Sequence, residues 1–177
     1  MEPPAVHVRR RLETSFQLVQ KQRMRAMALC NPVLDVEALG FGELPDRTGR
    51  LGVLITPWSM NLIHLPVGAA LSEGHVGSRT LPVGEVDFVG AAEVGFGAFE
   101  SCSLFSPVLQ FPDQLTARAV ANETLGLLLG ETTESGDADW SRLPMKEGRA
   151  IRASGGPVDI AVDRRRFLRG AWRDGKR

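Results

Sequence analysis

The chain has no long hydrophobic run. Its 177 residues contain no stretch of the roughly 18 consecutive apolar residues that a membrane-spanning helix needs. The N-terminal cluster Arg9-Arg10-Arg11 is followed by Leu12-Glu13-Thr14-Ser15, which is too polar for the core of an export signal. We therefore expect a cytoplasmic protein without stable membrane insertion.

Neither sign of charge dominates. The 21 basic residues balance 21 acidic ones, and the formal net charge is zero, which excludes a protein that binds polyanions with its whole surface. The distribution is uneven, because acidic residues are concentrated in 131–139 and basic residues are in excess from Arg152 onward. Such local asymmetry is typical of tails and interaction arms.

Cysteine and histidine are scarce. Cys30 and Cys102 form no Cys-x-x-Cys pair and no metal-like cluster, and two lone cysteines in a reducing compartment predict small core residues. The histidines, His7, His64 and His75, belong to no Ser/His/Asp signature, and there is no Gly-x-Ser-x-Gly elbow or Gly-rich phosphate loop. The sequence predicts no catalytic, metal or cofactor site, so binding without chemistry is the favoured class of function.

Two segments have helical periodicity. The first is Leu12–Leu29, which Asn31-Pro32 terminates because the residue before proline is disfavoured in a helix. The second is Gln114–Leu129, which follows a good N-cap at Asp113 and ends at Gly130. We expect residues 1–11 to form a flexible leader and residues 131–177 a mostly flexible tail.

Four segments between the helices are predicted to be β-strands, with a Gly-rich loop between the second and the third. Their short connections favour an antiparallel meander. The order helix, four strands, helix predicts one α+β domain over residues 12–130. We expect a two-layer sandwich with both helices on one face of a mostly antiparallel sheet and the other face solvated or binding a partner. The predicted strands are Leu51–Thr56, Asn61–Leu65, Gly84–Val89 and Phe96–Phe105.

A motif near the C-terminus looks like an export signal in the wrong place. The segment reads Arg-Arg-x-Phe-Leu-Arg, with Arg164, Arg165, Phe167, Leu168 and Arg169 at the motif positions. This resembles the twin-arginine motif that addresses folded proteins for export. Working signals lie at the N-terminus and precede an apolar stretch, which this segment lacks. It is either a basic tail in an Arg-rich chain or an indication that the protein handles such signals.

Several blocks of the sequence together resemble the HybE family of [NiFe]-hydrogenase assembly chaperones. The resemblance covers roughly Met24 to Leu129. Some relatives carry a fused rubredoxin-like module, for which this chain lacks the cysteine pairs. The blocks are Met24-Arg-Ala-Met27 with Asn31-Pro32, Val36-Glu37-Ala38 with Gly40-Phe41, Gly52-Val-Leu-Ile-Thr-Pro-Trp-Ser-Met-Asn-Leu62, Ser101-Cys-Ser-Leu-Phe-Ser-Pro107 and Phe111-x-Asp-Gln114.

The resemblance implies a cytoplasmic proofreading chaperone and not an enzyme. Members of the family are thought to bind the precursor of the hydrogenase small subunit through its twin-arginine signal, and to contact the large subunit. They hold back export until the metal centres are in place. In that context the tail motif is expected to compete with an incoming signal for the same site.

The chemistry of such a signal suggests which residues bind it. Two arginines need carboxylates in fork-like geometry, and a Phe-Leu pair needs an apolar groove. Glu85 and Asp87 have a second interpretation as a solvated strand face, and Trp58 as a corner-packing residue. The acidic candidates are Glu85, Asp87, Glu93 and Glu100, and the groove candidates are Trp58, Met60, Phe96 and Phe99. Asn61, from the Gly52–Leu62 block, is a further candidate.

A second function remains open at this point. The basic stretch Arg164–Lys176 could contact phosphates, which predicts an adaptor that touches nucleic acid or an acidic membrane surface. The rest of the chain has no recognition-helix pattern, so we expect no nucleic-acid partner. A small hydrolase that uses His64 is a third and weaker alternative.

Overall fold

The computed structural model describes residues 4–24 and 27–130. Helix α1 is Pro4–Val19, a π-helical turn Gln20–Met24 follows it, and helix α2 is Gln114–Leu128. The predicted tail and its twin-arginine-like motif lie outside the described residues. The strands are β1 Glu37–Glu43, β2 Gly49–Ile55, β3 Met60–Pro66, β4 Val76–Leu81, β5 Gly84–Glu93 and β6 Gly97–Phe105.

The six strands form a single antiparallel sheet in the order β1-β2-β3-β6-β5-β4. Each half is a three-stranded meander, and the pairing of β3 with β6 joins the two halves. Short hairpins can connect only antiparallel neighbours, which is why the short links predicted this arrangement. The prediction of an α+β fold with an antiparallel sheet is therefore confirmed.

The two helices cover opposite faces of this sheet, so the prediction that both lie on one face is wrong. α2 packs in a cluster with Val53 and Leu62, whereas Leu12 of α1 packs with Leu54 and Ile63. Adjacent strand residues point to opposite faces, so these neighbours mark the two sides. The inner strand β2 is buried on both faces, which is the physical reason for its continuous apolar run.

α1 begins at Pro4, so residues 4–11 are helical and the prediction of a flexible leader is wrong there. Proline is tolerated in the first helical turn, where its missing N–H has no partner to lose. Val8, Leu12 and Phe16 follow one another at helical spacing and pack on the sheet. The α-helix ends at Val19, ten residues before the predicted Leu29.

The sequence did not reveal β1 and β4, because glycine interrupts both. β1 has an irregular register between Gly40 and Gly42, and Phe41 lies between them with a positive φ of 67°. The Phe41 ring rests on Gly52, where an added Cβ would lie 2.5 Å from the ring. β4 contains Gly77 and falls in the segment that was predicted to be a Gly-rich loop.

The loop of residues 67–75 packs directly on β5 at Gly90. A Cβ there would lie 2.2 Å from the carbonyl oxygen of Ser72 and 2.4 Å from that of Leu71. We predict that Gly90→Ala lowers the free energy of unfolding by about 2 kcal/mol, because the loop backbone must move. Chemical denaturation measures this. Gly42→Ala is the matched control, since nothing lies within 4 Å of its Cβ position, and an equal effect of both changes would contradict the prediction.

Candidate functional site

α1 covers only part of its face of the sheet. It packs against β1 and against Leu54, Ile63 and Phe99, near one end of the face. Towards β4 and β5 the side chains on this face are exposed or half-buried. We call this uncovered surface the acidic half-face, and it consists of Asn61, Val76, Ser78, Thr80, Glu85, Asp87, Val89, Ser101 and Ser103.

The strand register brings two carboxylates together on the acidic half-face. Thr80 lies opposite Glu85 and Ser78 lies opposite Asp87, whose carboxylate accepts a hydrogen bond from the Ser78 hydroxyl. The half-face has no basic side chain of its own. Three of the candidate residues, Asn61, Glu85 and Asp87, therefore share one negatively charged surface.

Trp58 lies half-buried in the turn between β2 and β3. The turn is tightly held, because the Thr56 N–H donates to the Ser59 carbonyl at 2.8 Å and the Ser59 N–H donates to the Thr56 hydroxyl at 3.0 Å. The Asn61 amide donates to the Ser59 hydroxyl at 3.2 Å, which couples the turn to the acidic half-face. Trp58 is thus held in place at the same end of the sheet as Asn61.

The other groove candidates do not form a surface groove in this structure. Met60 is fully buried in the α2-side core, and Phe99 is buried on the α1 side. Phe96 makes an edge-to-face contact with Phe99, and the Arg11 guanidinium lies 5.5 Å from its ring centre. These side chains are occupied in packing, because two layers of helix need apolar contacts on both faces.

Glu100 is also buried, at the centre of a polar network on the α2 side. Its carboxylate accepts a hydrogen bond from the Leu71 N–H at 3.0 Å and lies 2.8 Å from His64 Nδ1. Arg79 of β4 binds the same carboxylate through two guanidinium nitrogens, Nε and Nη2. The remaining acidic candidate, Glu93, is paired with Arg23 at 2.6 Å. Both carboxylates are therefore committed to internal partners.

The pKa of Glu100 reflects two opposing effects. Burial removes water from the carboxylate and by itself raises the pKa. Hydrogen bonds from Arg79, His64 and the Leu71 N–H favour the ionised form and lower the pKa to about 2. Glu100 is therefore held as a charged structural anchor.

Sequence reasoning missed this network. Strand alternation contained a usable signal, because His64 shares the face of Leu62, and Glu100 shares the face of Cys102. All four side chains are buried. A polar side chain in register with a buried apolar one predicts an internal partner. Arg79 carried no such signal, since β4 itself was not predicted.

The two cysteines have no features of reactive thiols. Burial raises the pKa of Cys102 to about 12 and also raises that of Cys30. A thiol with a raised pKa is a poor nucleophile and a poor metal ligand at neutral pH. Within residues 4–24 and 27–130, no group of three or more His, Cys, Asp or Glu side chains is placed to hold a metal ion. In the same part of the chain, no helix is long and apolar enough to cross a membrane.

Comparison with known proteins gives a consistent result. A family model described as "[NiFe]-hydrogenase assembly, chaperone, HybE" matches residues 7–170. The chain is 42% identical over 134 residues to "Protein HoxT" of Cupriavidus necator, a match that covers 67% of this chain and 74% of that protein. It is 35% identical over 162 residues to "Hydrogenase expression/formation protein HupJ" of Bradyrhizobium diazoefficiens, covering 90% and 85%.

One solved structure has the same fold. The solution structure of HybE from Escherichia coli superimposes with a TM-score of 0.58 over 85% of this chain and 93% of that chain. The sequence identity is 16%, so this likeness concerns the fold alone.

The buried carboxylate predicts a specific dependence of stability on pH. Glu100→Gln removes the charge that Arg79 and His64 face, and we expect it to lower the free energy of unfolding at pH 7 by about 3 kcal/mol. Because the folded pKa of about 2 lies below the ordinary value of 4.5, this contribution is complete above pH 4.5 and is lost as the pH falls towards 2. Denaturation curves of both proteins should therefore converge over that range, with Glu43→Gln as an exposed control. A gap that stays constant with pH would contradict this role.

Proposed function

This chain belongs to the HybE family of [NiFe]-hydrogenase assembly chaperones, and we propose that it binds the precursor of a hydrogenase small subunit through its twin-arginine signal before export. The family is one of assembly chaperones and not of catalytic enzymes. The observation that carries the finer proposal is the acidic half-face, a negatively charged, uncovered part of an otherwise helix-covered sheet.

The two carboxylates suit an arginine side chain of the signal. Glu85 and Asp87 are two residues apart on one strand and on the same face, so their Cα atoms lie roughly 7 Å apart. A guanidinium group binds a carboxylate with two parallel hydrogen bonds, which gives both strength and orientation. Glu85 forms no hydrogen bond or ion pair with a side chain in the described part of the chain and is exposed.

The apolar part of a twin-arginine signal also finds contacts near the half-face. Val76 is 61% exposed and lies opposite the half-buried Val89. Trp58 provides an aromatic ring in the rigid turn that the Asn61 side chain contacts. Val76 and Val89 thus offer a shallow apolar surface beside the two carboxylates, and Trp58 lies at the far end of β3.

A second surface supports contact with a folded subunit. Four large apolar side chains that follow the middle of α1 in the sequence are 38–50% exposed: Leu18, Met27, Leu29 and Val33. Contiguous apolar patches on a surface mark protein interaction sites, and we propose that these four side chains form one. We assign this segment to the hydrogenase large subunit, as the second partner of the chaperone.

The charge of the acidic half-face can be tested with a signal peptide. We expect the full chain to bind a small-subunit twin-arginine peptide with micromolar or weaker affinity. Glu85→Gln and Asp87→Asn should each weaken binding roughly fivefold, the effect of losing about 1 kcal/mol of charge pairing at an exposed site. Replacing both signal arginines by lysine should weaken it as well, because lysine cannot form the fork.

Isothermal titration calorimetry gives these affinities. Glu43→Gln, an exposed carboxylate on β1, is the matched control and should leave the affinity unchanged. If the lysine peptide and both half-face variants bind as tightly as the originals, recognition of the arginine pair by this surface is rejected. The large subunit would then become the main client.

The twin-arginine-like motif of the chain itself allows a further test. A motif tethered to its own binding site competes at an effective concentration on the order of millimolar. We therefore expect the double change Phe167→Ser and Leu168→Ser to tighten binding of the external peptide several-fold. Leu143→Ser with Met145→Ser is the matched control, because it removes similar apolar side chains outside the motif. Unchanged peptide affinity in the first variant would reject competition by the tail.

A further inference from the structure

The two edges of the sheet are built differently, and one of them is closed. At the β1 edge the Ala38 N–H donates to the Glu13 carboxylate of α1 at 2.9 Å. The Glu37 side chain accepts from Gln114 at 2.6 Å and from Arg118 at 2.8 Å. The irregular register at Gly40–Gly42 further disrupts this edge. Such side-chain caps and bulges prevent another strand from pairing.

Among the described residues, the β4 edge has no side chain that caps its outward backbone groups and no irregular register within its pairing with β5. The His75 carbonyl accepts a hydrogen bond from the Gly90 N–H at 2.8 Å, which fixes the alternation of the β4–β5 ladder. In an antiparallel pair, alternate residues point their N–H and C=O groups to the partner strand and away from it. The backbone groups of Val76, Ser78 and Thr80 therefore point outward.

No residue in the described ranges forms a hydrogen bond with those outward groups. The side chains of the same three residues are exposed and lie on the acidic half-face. The same three residues of β4 therefore provide outward backbone groups at the edge and side chains on the acidic half-face.

The edge is also held in place. Arg79 extends across β5 to Glu100 on β6, and the Leu71 side chain packs beneath Gly77, where an added Cβ would lie 2.9 Å from Leu71 Cδ2. A strand fixed from below loses little conformational entropy when a partner strand binds.

We propose that the twin-arginine segment of the precursor binds as a seventh strand along the outer edge of β4. This inference rests on the proposed function and specifies its geometry. Pairing supplies main-chain hydrogen bonds, and alternate side chains supply specificity, as in other cases of strand addition. Charge selects the occupant, because only β4 separates an added strand from Glu85 and Asp87 of β5, and the acidic half-face contains no basic side chain.

The alternation of an extended Arg-Arg-x-Phe-Leu segment fits this edge in the antiparallel direction. The first arginine and the leucine lie on the half-face, the arginine towards Thr80 and Glu85 and the leucine towards Val76 and Val89. The phenylalanine lies on the other face opposite Gly77, beside the half-buried apolar side chain of Leu71 that packs on this glycine. The second arginine lies on that face as well, opposite Arg79, whose charge is already paired with Glu100, and on the side of the sheet that α2 covers. The C-terminal end of α2 carries negative dipole charge and contacts the β4–β5 turn through the Val83 N–H and the Leu128 carbonyl.

Proline at an outward position tests the edge directly. Ser78→Pro removes an outward N–H and no ladder hydrogen bond, so an edge strand tolerates it. Ser78→Ala removes the same hydroxyl and keeps the N–H. In the full chain we expect Ser78→Pro to bind the twin-arginine peptide about tenfold more weakly than Ser78→Ala, since the two variants lack the same hydroxyl and differ in the N–H. Thermal unfolding verifies that both variants fold.

Peptides with methylated backbone nitrogens test the same idea on an unaltered protein. Methylation at one residue removes an N–H that faces β4, and methylation at the next residue removes one that faces solvent. We expect the two peptides to differ at least tenfold in affinity. Hydrogen exchange measured by nuclear magnetic resonance should show the amides of Val76, Ser78 and Thr80 slowed by the peptide. The amide of the exposed control Val94 should be unaffected.

The outcomes separate the two proposals. Suppose that the peptide binds the wild-type chain and that the Glu85 and Asp87 variants weaken this binding. If Ser78→Pro and Ser78→Ala then have the same affinity for the peptide, and the two methylated peptides have the same affinity for the wild-type chain, strand addition is wrong and charge recognition is retained. If the peptide does not bind the wild-type chain, both proposals fail. If the three outward amides are already protected in the absence of peptide, the precursor is not the occupant of this edge. Protection that is independent of protein concentration would assign the edge to the tail of this chain, and protection that rises with concentration would assign it to a second copy.

Discussion

The carboxylate of Glu100 holds together the half of the sheet that the helices cover least. It lies on β6 and accepts hydrogen bonds from β4 through Arg79 and from the 67–75 loop through the Leu71 N–H, while His64 of β3 lies within hydrogen-bonding distance. Removing a carboxylate from water is costly, and the cost is offset only while every partner is present. Glycine at position 90 makes the arrangement possible, because a side chain there would collide with the loop that brings Leu71 to Glu100.

This anchor explains how an uncovered edge strand can remain well placed. β5 is the only strand that pairs with β4 in the described part of the chain. The guanidinium of Arg79 adds a connection that spans β5 and reaches the centre of the sheet. β4 is therefore fixed on its inner face while its outer backbone groups and half-face side chains are left to solvent. A binding edge needs both properties, since a loose strand would have to be ordered each time a partner bound.

Much of the architecture could be predicted from the sequence, and the failures have physical causes. Four strands and α2 were recognised because apolar periodicity and the Asp113 cap are local signals. β1 and β4 were missed because Gly40, Gly42 and Gly77 interrupt their patterns. Periodicity also shows which side of a helix is apolar without showing which face of the sheet receives it. The run Leu51–Ile55 was the available indication of two covered faces, because a strand buried on both sides has no alternation.

In the candidate site as well, the face of the sheet decides the role of each acidic residue, and strand alternation determines that face. Glu85 and Asp87 point to the same face of β5 and lie on the uncovered surface, whereas Glu100 points to the α2 side and is buried. Composition makes these carboxylates equivalent, and only the register of β4 and β6 against β5 separates them. One carboxylate fixes the scaffold, and two lie on the uncovered surface, where we propose that they bind the signal. The same sheet therefore has a buried carboxylate that stabilises it and exposed carboxylates that remain accessible, which is the arrangement that our proposal of binding without catalysis requires.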